Sequence, residues 1–102
     1  MELDIDCIIT LGKKLIDNKD TDMLLEHKFV ITPHIFKMLF MYACKHSDQH
    51  IVSLFIQIFF DYFNELEQIL LRQTFFYSKF HLHKSINKQW YQENVIDMMK
   101  TL

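Results

Sequence analysis

Glycine, proline, alanine and arginine each occur once in this 102-residue chain, as Gly12, Pro33, Ala43 and Arg72. A lone glycine excludes a glycine-rich phosphate loop, whose backbone must approach an anion at several positions. Short loops poor in glycine also leave little room for a substrate pocket. Two cysteines, Cys7 and Cys44, are too few for a disulfide framework, so the expected state is reduced thiols in an intracellular protein, cytoplasmic or nuclear. The first residues, MELDIDC, are acidic where a signal peptide needs positive charge. The longest uncharged apolar run, Ile51–Phe60, is closed by Asp61 and reaches half of the ~20 residues that span a bilayer. No membrane partner is expected.

What the chain holds instead is bulk. Ten Phe, four Tyr and Trp90 stand against that one Ala and one Gly, and each aromatic brings roughly 150–250 Å² that favours burial. Scarce Ala, Gly, Pro and Arg beside abundant Ile, Lys and Phe is the composition of an AT-rich coding sequence. A length of 102 residues makes one domain with a single core, 1–102. The net charge of −2 hides a division: residues 1–67 carry −5, 68–92 carry +4 and 93–102 carry −1. Such blocks speak of contact surfaces, not of fold.

Apolar spacing predicts helices throughout. Ile5, Ile8, Ile9, Leu15 and Ile16 recur at helical intervals, opposite Asp6, Thr10, Lys13, Lys14 and Asp17, over about 3–17. DNKDTD follows as a turn, with Asp20 or Thr21 as the cap of a short helix through MLLEH. Thr32-Pro33 starts the next helix, because Thr accepts from the first turn and Pro at the first position gives up no needed donor. That helix runs to about His46, with Ser47 or Asp48 capping its successor, expected to continue to residue 73. On a wheel of the latter, Ser53, Gln57, Asp61, Asn64, Gln68 and Arg72 share one arc. Its apolar residues spread over roughly 200°, twice the ordinary stripe of about 100°. Residues 75–84, FFYSKFHLHK, alternate like a strand but have no second strand to pair with, and read as a frayed helix end and loop. Ser85 is the expected cap of a last helix over about 86–101, with Tyr91, Val95 and Met98 along one seam. The predicted fold is all-α: a compact bundle of four to five helices around a central helical hairpin, about 33–46 and 49–73.

The hairpin's ITP entry, its YACK near the end of the first arm and IVSLF in the second resemble one pentatricopeptide or tetratricopeptide unit, over about 30 residues. No second copy follows at that period, and no function is carried across from the resemblance.

Chemistry-bearing constellations are sparse. Cys44, His46 and His50 cluster around one turn with His34 upstream, and the His46–His50 gap occurs in zinc sites. Without a second cysteine pair the expectation is no metal and no cofactor. Glu65 and Glu67 face different ways on a helix, so no paired-carboxylate site forms. Nothing in the spacing selects a base for Cys44, so no enzyme and no small-molecule substrate are expected. The favoured function is a protein-interaction module, homodimeric or binding a helix of another protein. Its contact residues are expected among the large side chains of the two middle helices and the last one: Phe36, Phe40, Phe55, Phe59, Phe63, Tyr91 and Met98. Methionines such as Met38 and Met41 let such a surface adapt. The alternative is single-stranded nucleic acid on segment 72–91, where Arg72, Lys79, Lys84 and Lys88 interleave with aromatics: charge for phosphates, rings for base stacking.

Overall fold

The computed structural model describes residues 4–76 and 81–97, without the side chains of Phe59 and of residues 74–76. Every regular element among them is helical: α1 (Ile5–Asp17), α2 (Thr21–Glu26), a 3₁₀ turn (Lys28–Val30), α3 (Pro33–His46), α4 (Gln49–Tyr62), α5 (Glu65–Phe76) and α6 (Lys88–Tyr91), which runs on as a π-helical turn (Gln92–Ile96). The fold class is all-α.

Helix starts follow side-chain chemistry. Asp4, Asp20, Thr32 and Asp48 each accept a hydrogen bond from a backbone N–H of the first turn they precede, satisfying donors that no helical carbonyl can reach. Helix α1 stops differently. The amide of Asp20 donates to the Leu15 carbonyl at 2.9 Å and that of Lys19 to Ile16 at 3.0 Å, the Schellman arrangement, with Lys19 at φ 54° where glycine is usual. Lys19 Nζ then reaches Asp48 Oδ2 at 2.8 Å. This ties the end of α1 to the cap of α4 and holds the Asp48 carboxyl below its ordinary value of 3.8.

The long second arm of the hairpin does not form. Phe63 is extended, with φ −84° and ψ 137°, and a new helix begins at Glu65, capped by Asn64. The amide of Glu67 donates to Asn64 Oδ1 at 2.9 Å, while the Asn64 amide donates to Glu67 Oε1 at 3.1 Å, a reciprocal capping box. The Gln68 side chain also donates to the Phe63 carbonyl at 2.9 Å. The expected 49–73 helix is therefore two helices, and its wide apolar arc mixed two different faces. The last helix is also shifted: Asn87, not Ser85, accepts from the Trp90 amide at 2.9 Å. Residues 77–80 of the ambiguous segment and 98–101 of the expected last helix lie outside the described residues.

Helix α3 is the hub, packing against α1, α4 and α5. It contributes Ile35, Phe36, Leu39, Phe40, Ala43 and Cys44 to the core. The Phe36 ring lies 5.7 Å from Phe40, 5.8 Å from Phe55 and 5.3 Å from Phe63, the last two edge-on, the arrangement that aromatic quadrupoles favour. The C-terminal segment closes over the far end. The His83 amide donates to the Cys44 carbonyl at 2.7 Å and the Ser85 hydroxyl to the Ser47 carbonyl at 3.4 Å, so carbonyls near the end of α3 find donors. Ile86, Tyr91 and Val95 are buried there.

Gly12 sets how closely α1 approaches this hub. A Cβ at that position would stand 2.7 Å from both terminal carbons of Leu39, so only glycine lets α1 lie against α3 with Leu39 in place. Beside that contact Tyr42 locks the same pair of helices, its hydroxyl 2.9 Å from each oxygen of the Asp17 carboxylate. That hydrogen bond, with some burial and the carboxylate's charge, holds the Tyr42 hydroxyl above its ordinary value of 10.0.

Candidate functional site

Most of the expected contact residues are core. Phe36, Phe40 and Phe55 are fully buried, and Phe63 and Tyr91 nearly so, at 4% and 6% exposed. These five hold the bundle together and present no face to a partner, which corrects the expectation drawn from the sequence. The side chain of Phe59, and Met98 altogether, lie outside the described residues. Cys44 belongs to the same core: burial pushes its thiol up to about 12, although its hydrogen bond with Tyr91 works the other way. The Tyr91 hydroxyl is raised too, by burial first and by Cys44 second. Both groups stay protonated at neutral pH.

The apolar surplus surfaces elsewhere. Ile5 and Leu11 on α1, Met23 and Leu25 on α2, and Phe29 in the 3₁₀ turn are all substantially exposed, Phe29 by 66%. The three elements that carry them frame a groove of about 240 Å³. Cys7, Ile8, Leu11 and Leu15 form one wall, Leu24, His27, Phe29 and Val30 the other, and Gly12, Ile31 and Leu39 the floor. The α1 wall is a direct result of helical periodicity, since residues 7, 8, 11 and 15 fall on one face. The opposite wall is fixed by polar contacts. The Tyr62 hydroxyl of α4 donates to the Phe29 carbonyl at 3.1 Å, and His27 Nδ1 lies 2.8 Å from the Met23 carbonyl. A carbonyl only accepts, so Nδ1 carries the imidazole proton. The His27 and Phe29 rings stack with centroids 6.4 Å apart. Phe29 is thus anchored at its backbone while its ring stays open to water.

A second apolar surface lies on α5, where Leu66 and Leu70, one turn apart, are 65% and 53% exposed. Of the basic positions considered for nucleic acid, Lys84 and Lys88 are exposed and Arg72 is half-buried, while Lys79 lies outside the described residues. Tyr91, which follows these cations in sequence, is core, and Trp90 is half-buried. Among the described residues no three His, Cys, Asp or Glu side chains converge on a point that would hold a metal ion. No described helix is long and apolar enough to cross a membrane.

Comparison with known proteins returns no match to a family model, to a curated protein or to a solved structure.

Sequence periodicity did not point to the groove. Leu11 lies at the edge of the apolar stripe of α1, beside Ile8 and Leu15, with Lys13 and Lys14 following it in LGKKL, and Phe29 sits in EHKFVITP, a connecting stretch with no repeat to mark its face. The available signal was a large ring bracketed by His27, Lys28 and the Thr32-Pro33 helix start, a bulky side chain in a segment too short to bury it.

Proposed function

We propose that this chain is a protein-interaction module that takes the apolar face of a partner helix into the groove between α1 and the α2–3₁₀ segment. The observation that carries the reading is Phe29, held by its backbone and 66% exposed at the rim of an almost wholly apolar groove. At about 240 Å³ the groove is smaller than the roughly 300–1,000 Å³ of ordinary small-molecule sites. It suits a few side chains of a helix, spaced three or four residues apart, that lie along a channel with helical walls. With a Cα radius of gyration of 13.0 Å, the chain is as compact as the ~13 Å expected for its length. Apolar surface remains exposed on a closed fold.

One observation favours a second copy of this chain as the source of that helix. Leu66 and Leu70 on α5 form an exposed pair at helical spacing, and a two-fold pairing would bury the groove of each copy under α5 of the other. Sedimentation velocity over a wide concentration range, on wild type and on Leu11→Glu and Leu66→Glu, separates the sources. A dimer weakened by either substitution supports the second copy. A monomer that crosslinks through Phe29 to a different protein supports a heteromeric partner. A dimer indifferent to both substitutions, or a monomer whose Phe29 meets nothing, overturns the groove as the contact surface.

A further inference from the structure

A second groove, of about 380 Å³, opens on the other flank of α1, lined by Lys13, Met38, Met41, Tyr42, Lys45, His46 and His81. Three parts of the chain meet there: α1, α3 and the segment returning after α5. Its chemistry is the opposite of the groove described above. Two lysines and two histidines line it, and among the described residues the lining includes no carboxylate. The Asp17 carboxylate, which the lining residue Tyr42 contacts, already accepts from the Tyr42 hydroxyl with both oxygens, each at 2.9 Å. The pairing of Lys13 with Lys45 stands out because residues 1–67 as a whole carry −5.

We infer that this second groove binds an acidic peptide segment that also carries apolar side chains. Carboxylates of the partner pair with Lys13 and Lys45 and accept hydrogen bonds from His46 and His81, while its apolar groups lie on the thioethers of Met38 and Met41, which adapt to varied shapes. The state of Tyr42 decides against nucleic acid. A single-stranded ligand needs free ring faces for its bases, and this ring already meets Lys13 Nζ at 5.2 Å from its centroid and the His46 ring at 4.6 Å. With its hydroxyl committed to Asp17 as well, Tyr42 is a strut that positions Lys13 and His46.

The test uses the full chain, fluorescently labelled, on an array of short peptides in which acidic and apolar content vary independently, beside an oligothymidylate of similar length. Peptides rich in both Asp or Glu and large apolar residues should be enriched, and their binding should weaken with added salt. Exchanging their Asp and Glu for Asn and Gln should abolish it. The Lys13→Gln, Lys45→Gln double variant should bind these peptides roughly fivefold to tenfold more weakly, with an unchanged melting temperature. Met38→Gln serves as a second variant that leaves the charges intact, and it should lose affinity for apolar-rich members only. No enrichment of acidic peptides, equal binding by the double variant, or tighter binding to oligothymidylate than to any peptide would each overturn the assignment.

Discussion

Replacing Phe36 separates a core role from a contact role more sharply than any other substitution. The side chain is fully buried and meets three other rings within 5.8 Å. Truncation to Ala removes the transfer energy of the ring and leaves a cavity that α3, held by α1, α4 and α5, cannot close; the cost is about 3–5 kcal/mol. A domain of this length has only about 5–15 kcal/mol in total, so Phe36→Ala stands at the edge of unfolding. Phe36→Leu refills most of the volume but forfeits the ring contacts, and should cost roughly half as much. At about 4–8 °C per kcal/mol for a domain near this size, its melting temperature falls by roughly 6–20 °C. Urea titration followed by circular dichroism measures both variants against wild type. Leu11→Ser and Leu66→Ser, at 49% and 65% exposed positions, should each change stability by no more than about 0.5 kcal/mol. A Phe36→Leu protein as stable as wild type would refute the placement of this ring at the centre of the core.

Three further outcomes follow from the same geometry. Cys7 is exposed and Cys44 buried, so a thiol reagent should modify Cys7 quickly and Cys44 only at the rate of unfolding; equal rates would contradict the Cys44–Tyr91 contact. Folded Cys44 and Tyr91 hold protons that the unfolded chain releases near their ordinary values of 9.0 and 10.0. Their contribution to stability is therefore complete below pH 9 and declines as pH rises toward about 12, by up to about 1.4 kcal/mol per pH unit for each group. Urea midpoints measured across that range should fall steeply, and less steeply in Cys44→Ala; a flat profile would contradict the burial. Asn64→Ala removes the side-chain acceptor of the capping box, leaving the backbone N–H at 64 still able to donate to Glu67, and should cost about 1 kcal/mol, seen as faster hydrogen exchange at the Glu67 amide, whereas unchanged exchange would mean that α4 and α5 are separated by something else.

The sequence disclosed polar punctuation more faithfully than apolar surplus. Thr32-Pro33 and, to within one residue, the caps at Asp20 and Asp48 were readable as helix starts because a capping side chain acts within its own turn and needs no tertiary information. Asn64 carries the same signal, with Glu67 three residues on, but apolar residues continue across it through Phe63, Leu66, Ile69 and Leu70. A period count follows those and passes over the break. The breadth of apolar residues on α3 was also readable. What they would meet was not, since their cover comes from distant parts of the chain: Ile16 beside Gly12 on α1, and Ile86, Tyr91 and Val95 near the C-terminus. A side chain's need for burial is local, but the means of burying it is tertiary. For that reason the middle helices promised an interface through rings that turn out to be core, while the exposed large apolar side chains, apart from Met38 on α3 and Phe60 and Tyr62 on α4, lie on α1, α2, the 3₁₀ turn and α5.

The groove's role is tested most directly by site-specific photocrosslinking in cells that make the protein, with a photoreactive phenylalanine in place of Phe29 and, as a control, in place of Gln57 on the polar face of α4. An aromatic analogue at an exposed ring position leaves the fold intact. The account predicts one discrete adduct from position 29, with a second copy or a single partner protein, lost when Leu11→Ser is added and absent from position 57. The same diffuse adducts from both positions, or an adduct at 29 that survives Leu11→Ser, would contradict it.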